Sequence, residues 1–152
     1  NDAVISRGSL SRMIDIHVGF HQDKMFHYRA DGLVISTPTG STAYSLSAGG
    51  PVIEPTMRCM LLTPICPHSL FSRPILFREE AALTIQAEAG SDGPAFLTID
   101  GGSSSDGKAS SIPLLQGDVV TVTASDVETE LIKLKNKDFY EILHEKLSER
   151  RI

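Results

Sequence analysis

The feature that most constrains this chain is the run from Asp31 to Gly50, DGLVISTPTGSTAYSLSAGG. An apolar triplet, Leu33, Val34 and Ile35, leads into a cluster of alcohol side chains: Ser36, Thr37, Thr39, Ser41 and Thr42. Pro38 and Gly40 stand among them as turn residues. A helix-compatible segment, 43–48, follows and is stopped by Gly49, Gly50 and Pro51. The run predicts a strand, a tight polar loop and a helix start. Seven Ser and Thr between positions 36 and 47 exceed what one helix cap requires, which weighs against an ordinary turn without a ligand.

Such a loop offers backbone N–H groups and hydroxyls where a helix dipole favours partial negative charge. It lacks the lysine of a Walker A loop, so it is poorly suited to a triphosphate with Mg²⁺. A neutral, hydroxyl-rich or amide-bearing ligand fits it better. Asp31 agrees, because a carboxylate repels phosphate but accepts from ribose hydroxyls or an amide and tolerates a cationic ring.

The rest of the chain reads as short strands punctuated by Gly and Pro. Ile14, Ile16 and Val18 alternate with Asp15 and His17, which is the period of a half-buried strand. A hairpin turn is expected at 22–24. Further strands are expected at 3–6, 25–29, 59–63, 75–77, 82–89, 95–100, 112–115, 118–124 and 130–135, with a flexible loop at 103–111. His17, His21 and His27 are expected on a solvated face and His68 as a structural hydrogen-bonder. From Phe139 the period becomes helical, with Ile142, Leu143 and Leu147 on one stripe. Asp138 and Glu141 stand in capping-box positions, and Arg150 and Arg151 suit the helix C-terminus. The class is mainly β, a layered sandwich in one domain spanning 1–152, with a short helix after the TPTGSTAY loop and a C-terminal helix packed by its apolar stripe.

Composition narrows the partners. The 152 residues carry a net charge of −5 without a basic stripe, which argues against nucleic acid and anionic membranes. No apolar run reaches the roughly 18 residues of a membrane span. Cys59 and Cys66 have neither CxxC nor zinc spacing, and they read as reduced thiols of a cytoplasmic protein with no metal site.

DGLVISTPTGSTAYSLSAGGPVIEP closely resembles the signature of the NAD kinases, the ATP-dependent enzymes that make NADP from NAD, with the bacterial type nearest. Asn1-Asp2 is similar to that family's Asn-Glu pair, TPICPHSLFSRPI at 63–75 to its TPxxPHSLxxRP segment, and Ile99-Asp100-Gly101 to its later acidic turn. The resemblance implies the β-rich C-terminal domain of such an enzyme. It implies that an N-terminal α/β half, carrying a Gly-Gly-Asp-Gly loop with the catalytic base, lies outside this chain. No catalytic residue is therefore expected here, and the chain alone is expected to be inactive.

Phosphoryl transfer to a ribose hydroxyl needs a held acceptor, a carboxylate or base at that hydroxyl, and cationic help with phosphates. By residue type, Asn1 suits an adenine edge, Asp2 a ribose hydroxyl, and Tyr44 a ring or phosphate contact. Arg12 and Arg29 are the nearest basic groups in sequence, and Arg29 and Asp31, two apart, would share a strand face. NAD is expected on Asn1, Asp2, Arg12, Arg29, Asp31, Thr42, Ala43, Tyr44, Ser45, Leu46, Ser47 and Asp100, the arginines by sequence proximity and the motif positions by the resemblance. Cys66 and Gly102 are expected in the pocket wall. Asn1-Asp2 and 42–47 would hold the adenosine half. Asp2 is one methylene shorter than the glutamate it resembles. The resemblance further implies ATP with a divalent metal, Mg²⁺ first, and a homo-oligomer, dimer or tetramer, that shares pockets between subunits. The competing readings are a non-catalytic NAD- or nucleotide-binding regulatory module and a lipid kinase of related architecture. The polar main loop disfavours the second.

Overall fold

The computed structural model describes residues 1–8, 12–20, 23–70, 72–88, 93–103, 109–130, 132 and 137–148. Ten strands form two antiparallel sheets. They are β1 (Asp2–Arg7), β2 (Ile14–Phe20), β3 (Asp23–Ala30), β4 (Gly32–Ser36), β5 (Cys59–Ile65), β6 (Ile75–Arg78), β7 (Leu83–Glu88), β8 (Ala95–Ser103), β9 (Ala109–Leu114) and β10 (Val120–Val122). One sheet runs β6-β5-β4-β1-β8-β9 and the other β10-β7-β2-β3. The mainly β, two-layer class read from the sequence is what the chain adopts.

The core lies between the sheets. Ile5, Leu33, Ile35, Met60 and Leu62 face Ile14, Ile16, Val18, Leu83 and Ile85 in one buried cluster. Each such side chain removed from water is worth about 1.5–3 kcal/mol. β2 shows its alternation directly, with Ile14, Ile16 and Val18 inward and Asp15 and His17 outward. β4 does not alternate, because all five of its residues are buried. Leu33 and Ile35 enter the core. Val34 and Ser36 point to the opposite face, which the segment after β4 covers. There the Ser45 hydroxyl meets that of Thr63, on β5, at 2.8 Å, and Ser41 Oγ accepts from the Ile53 N–H at 3.0 Å.

Some local expectations need correction. The short helix expected within 43–48 is present, but it is a single turn, too short for an anion site. A 3₁₀ turn at Thr39–Thr42 precedes a single α turn, α1 (Tyr44–Ser47), and Ala43 between them supplies no side-chain cap. One turn aligns too few peptide dipoles for the anion-binding argument made from the sequence. Asp23 and Lys24 belong to β3 rather than to the hairpin turn, and β9 begins at Ala109, inside the expected loop. Residues 130 and 132 are not in a strand, and the rest of the 130–135 expectation falls largely outside the described residues, as do His21, Arg150 and Arg151. The C-terminal helix, α2 (Phe139–Ser148), is present with the expected capping box: Glu141 N–H donates to Asp138 Oδ1 at 2.8 Å, and Asp138 N–H to Glu141 Oε2 at 3.1 Å. Of its apolar stripe, Phe139 and Leu143 are half-buried and Ile142 is 40 % exposed. Tyr140 Oη of this helix donates to Glu54 Oε2, in the segment after α1, at 3.3 Å.

Candidate functional site

The hydroxyl loop closes on the start of the chain. Thr37 N–H donates to the Asn1 carbonyl at 2.9 Å, and Thr37 Oγ1 donates to the same oxygen at 3.3 Å. Thr37 Oγ1 in turn accepts from Gly40 N–H at 3.0 Å. A Cβ on Gly40 would stand 2.1 Å from the Asn1 oxygen, so only glycine permits this approach.

Asp100 meets the same residues from β8. Its Oδ1 accepts from the Asn1 amine at 2.7 Å and from Asp2 N–H at 3.2 Å. These two donors, the amine first, hold its carboxyl below the usual carboxylate range. In a chain extended at this end the amine would be an amide N–H, still a donor. Asp100 has φ +47°, and Gly101 and Gly102 follow at +71° and +72°. This left-handed run falls where the β8–β9 register shifts, and it turns the Asp100 carboxylate toward Asn1 and Asp2. Asp2 behaves in the opposite sense. Burial pushes its carboxyl up, the Asp100 charge adds to this, and the Asn1 amine opposes it.

Asn1, Asp2, Thr37 and Asp100 line one wall of a groove of about 400 Å³. Met57, Arg58, residues 122–125 and Val127 form the other wall, and Ala3, Ile35 and Met60 line it from the core side. The groove pairs an apolar wall with a few convergent polar groups, the general make-up of a small-molecule site.

The remaining expected residues lie elsewhere. Thr42, Ala43, Tyr44 and Ser47 are exposed, Leu46 is half-buried and Ser45 is buried against Thr63; none of the six lines this groove. Arg29, Asp31 and Cys66 sit at the opposite end, where the chain passes from β3 to β4 and β5 ends. β1 and β4 run antiparallel, with Asp2 opposite Ser36 and Ser6 opposite Gly32. Asp31, five residues before Ser36, is therefore roughly 16 Å from the Asp2 end at about 3.3 Å per residue. At the far end Arg7 Nε pairs with Asp31 Oδ1 at 2.8 Å, so Asp31 is not a free acidic acceptor. Arg12, Arg29, Met13 and His68 surround a second cavity there, and His68 N–H donates to the Arg29 carbonyl at 2.8 Å. Cys66 is exposed at φ +45°, and Gly102 is buried beside Asp100. Arg29 and Asp31 do not share a strand face. β3 ends at Ala30, and Asp31 is the bend where the chain passes to the other sheet. Sequence reasoning missed Arg7 and Thr37. Nothing in the sequence marks Arg7, whereas Thr37 lay within the hydroxyl cluster.

His17 and His27 lie side by side across β2 and β3, as expected of an outward face. Their rings stack at 4.7 Å, and His27 Nε2 lies 2.8 Å from Asp15. The described residues hold no group of three or more His, Cys, Asp or Glu able to bind a metal ion.

Residues 1–134 match the family model described as the ATP-NAD kinase C-terminal domain, and the chain belongs to this family. Among its relatives, the NAD kinase of Symbiobacterium thermophilum is 47 % identical over 148 residues, covering 97 % of this chain and 50 % of that protein. The NAD kinase of Trichlorobacter lovleyi is 42 % identical over 147 residues, covering 97 % and 49 %. The chain thus spans about half the length of the curated relatives it matches. Among solved structures, an NAD kinase from Archaeoglobus fulgidus in complex with ATP superposes with a TM-score of 0.69 at 28 % identity, over 83 % of this chain and 45 % of that one. Yeast NADH kinase complexed with NADH superposes at 0.72 and 26 % identity, over 100 % and 44 %.

Proposed function

We propose that this chain is the NAD-binding part of an ATP-dependent NAD kinase, which phosphorylates the 2′-hydroxyl of the adenosine ribose. The observation that carries the reading is the convergence of Asn1, Asp2 and Asp100 on one groove in a domain of this family. In this reading Asp2 accepts from a ribose hydroxyl and Asn1 pairs with the adenine edge. Asp100 holds the Asn1–Asp2 backbone through its two accepted bonds. The exposed Tyr44 and the alcohols at 42 and 47, outside this groove, meet the part of the dinucleotide that extends beyond it. The base that deprotonates the 2′-hydroxyl is supplied by the N-terminal half. The divalent metal, Mg²⁺ first, enters with ATP, and no step is assigned to an ion resident in this chain.

The second end of the site follows from distance. Asp31, Arg29, Arg12 and the Cys66 turn are too far from Asp2 to close around the same part of one ligand. In a homo-oligomer, a second copy brings that end to the groove and completes the dinucleotide site. Ile99 and Ile112, 55 % and 54 % exposed on the core-facing side of the β8–β9 edge, offer the apolar area such an association buries. Sedimentation of Ile112→Asp should then show a smaller species than the unaltered chain.

Calorimetric titration with NAD tests the reading. Weak binding is expected, and Asp31→Ala should weaken it further; undiminished affinity in that variant removes Asp31 from the site. NADP formation from NAD and ATP should require the N-terminal half. Turnover by the purified 152-residue chain would overturn that division of labour.

A further inference from the structure

Among the described residues, one buried side-chain polar atom has no hydrogen-bond partner: Ser36 Oγ, on a residue only 2 % exposed. The neighbouring buried hydroxyls are not like this. Ser41 accepts from Ile53, and Ser45 is bonded to Thr63. A buried hydroxyl left unmade is unfavourable and rare, so Ser36 calls for an explanation.

The register supplies one. Ser36 of β4 stands directly opposite Asp2 of β1. Opposed residues on antiparallel strands point to the same face with Cβ atoms about 4.5–5.5 Å apart. The Asp2 carboxylate makes no hydrogen bond among the described residues; the bond Asp2 does make uses its backbone N–H. An unused donor and an unused acceptor therefore face each other across one strand pair, and one staggered side-chain step on either residue changes their separation without moving the backbone.

We infer that Ser36 is a positioning residue whose hydroxyl donates to one oxygen of Asp2 when a ligand alcohol takes the other. The inference rests on the reading above, in which Asp2 accepts from a ribose hydroxyl. Without ligand, water can serve the half-exposed carboxylate. A bound sugar displaces that water, and a desolvated carboxylate needs its remaining lone pairs filled. Ser36 is the donor in place for this. It adds no contact of its own to the ligand; it fixes the direction in which Asp2 accepts.

The test is NAD titration of the unaltered chain, Ser36→Ala, Asp2→Ala and the double variant, with melting of each in the absence of NAD. Ser36→Ala should weaken NAD binding about tenfold, the size of one hydrogen bond to a charged group. It should leave the ligand-free melting temperature equal or higher, because an unpartnered buried hydroxyl has been removed. In the Asp2→Ala background, the same substitution should change affinity by less than twofold. Unchanged affinity in Ser36→Ala, an equal loss without Asp2, or a lowered ligand-free melting temperature would each overturn the assignment while NAD binding itself stands. No NAD binding by the unaltered chain overturns the functional reading, and the Ser36 assignment with it.

Discussion

Asp2 and Asp100 are joined by a hydrogen bond yet respond to pH in opposite directions. Asp100 is held below the ordinary range, first by the Asn1 amine. Its contribution to stability is present above about pH 4 and is lost as pH falls through its lowered value. Asp2 is raised by burial, so the folded chain holds that proton longer than the unfolded chain does. Ionising Asp2 therefore opposes folding, and stability drops as pH rises from about 4 through the raised value. Thermal melts from pH 3 to 7 should show Asp100→Asn less stable at neutral pH with a flatter acid limb. Asp2→Asn should be more stable at neutral pH. Both residues were named from the sequence by type and by their place in short motifs. Their convergence was not legible, because it depends on the left-handed turn at 100–102 folding back to the first strand. Arg29 and Asp31 fail for a related reason: a period of two holds only within one strand, and the chain changes sheets between them.

At the scale of elements, the alcohol-rich loop divides its hydroxyls between two tasks. Ser45 holds the segment to Thr63 on the outer face of the six-stranded sheet, Ser41 holds it to the Ile53 backbone that follows it, and Thr37 ties it to Asn1. Counting Ser and Thr showed that more were present than a cap requires, but could not say which faced the protein. Ser45→Ala or Thr63→Val alone should lower stability by about 1–3 kcal/mol, since each strands a buried hydroxyl. The double variant should lose less than the sum of the two, as read by denaturant melts in a double-mutant cycle. Strands with clean alternation, such as β2, and the Asp138–Glu141 capping box were legible because their causes are local. β9 was not, because its residues Ala109, Ser110 and Ser111 carry no apolar rhythm. They are strand because β8 offers an edge. The stripe on α2 was legible too, but a stripe does not say what covers it.

For the whole molecule, the deciding feature is the central pair β1 and β4. β4 has β1 on one edge and β5 on the other, the core beneath it and the hydroxyl segment above it. Its amide protons should be among the last to exchange with deuterium, and those of the edge strand β10, three residues long, among the first. Uniform exchange across both would contradict the layering described. The two groups of polar residues hang from opposite tips of this stiff pair. The span between them is thus set by strand length and cannot adapt by loop motion. β1 and β4 act as a fixed gauge, and a molecule bridging both tips must match that gauge or recruit a neighbouring copy.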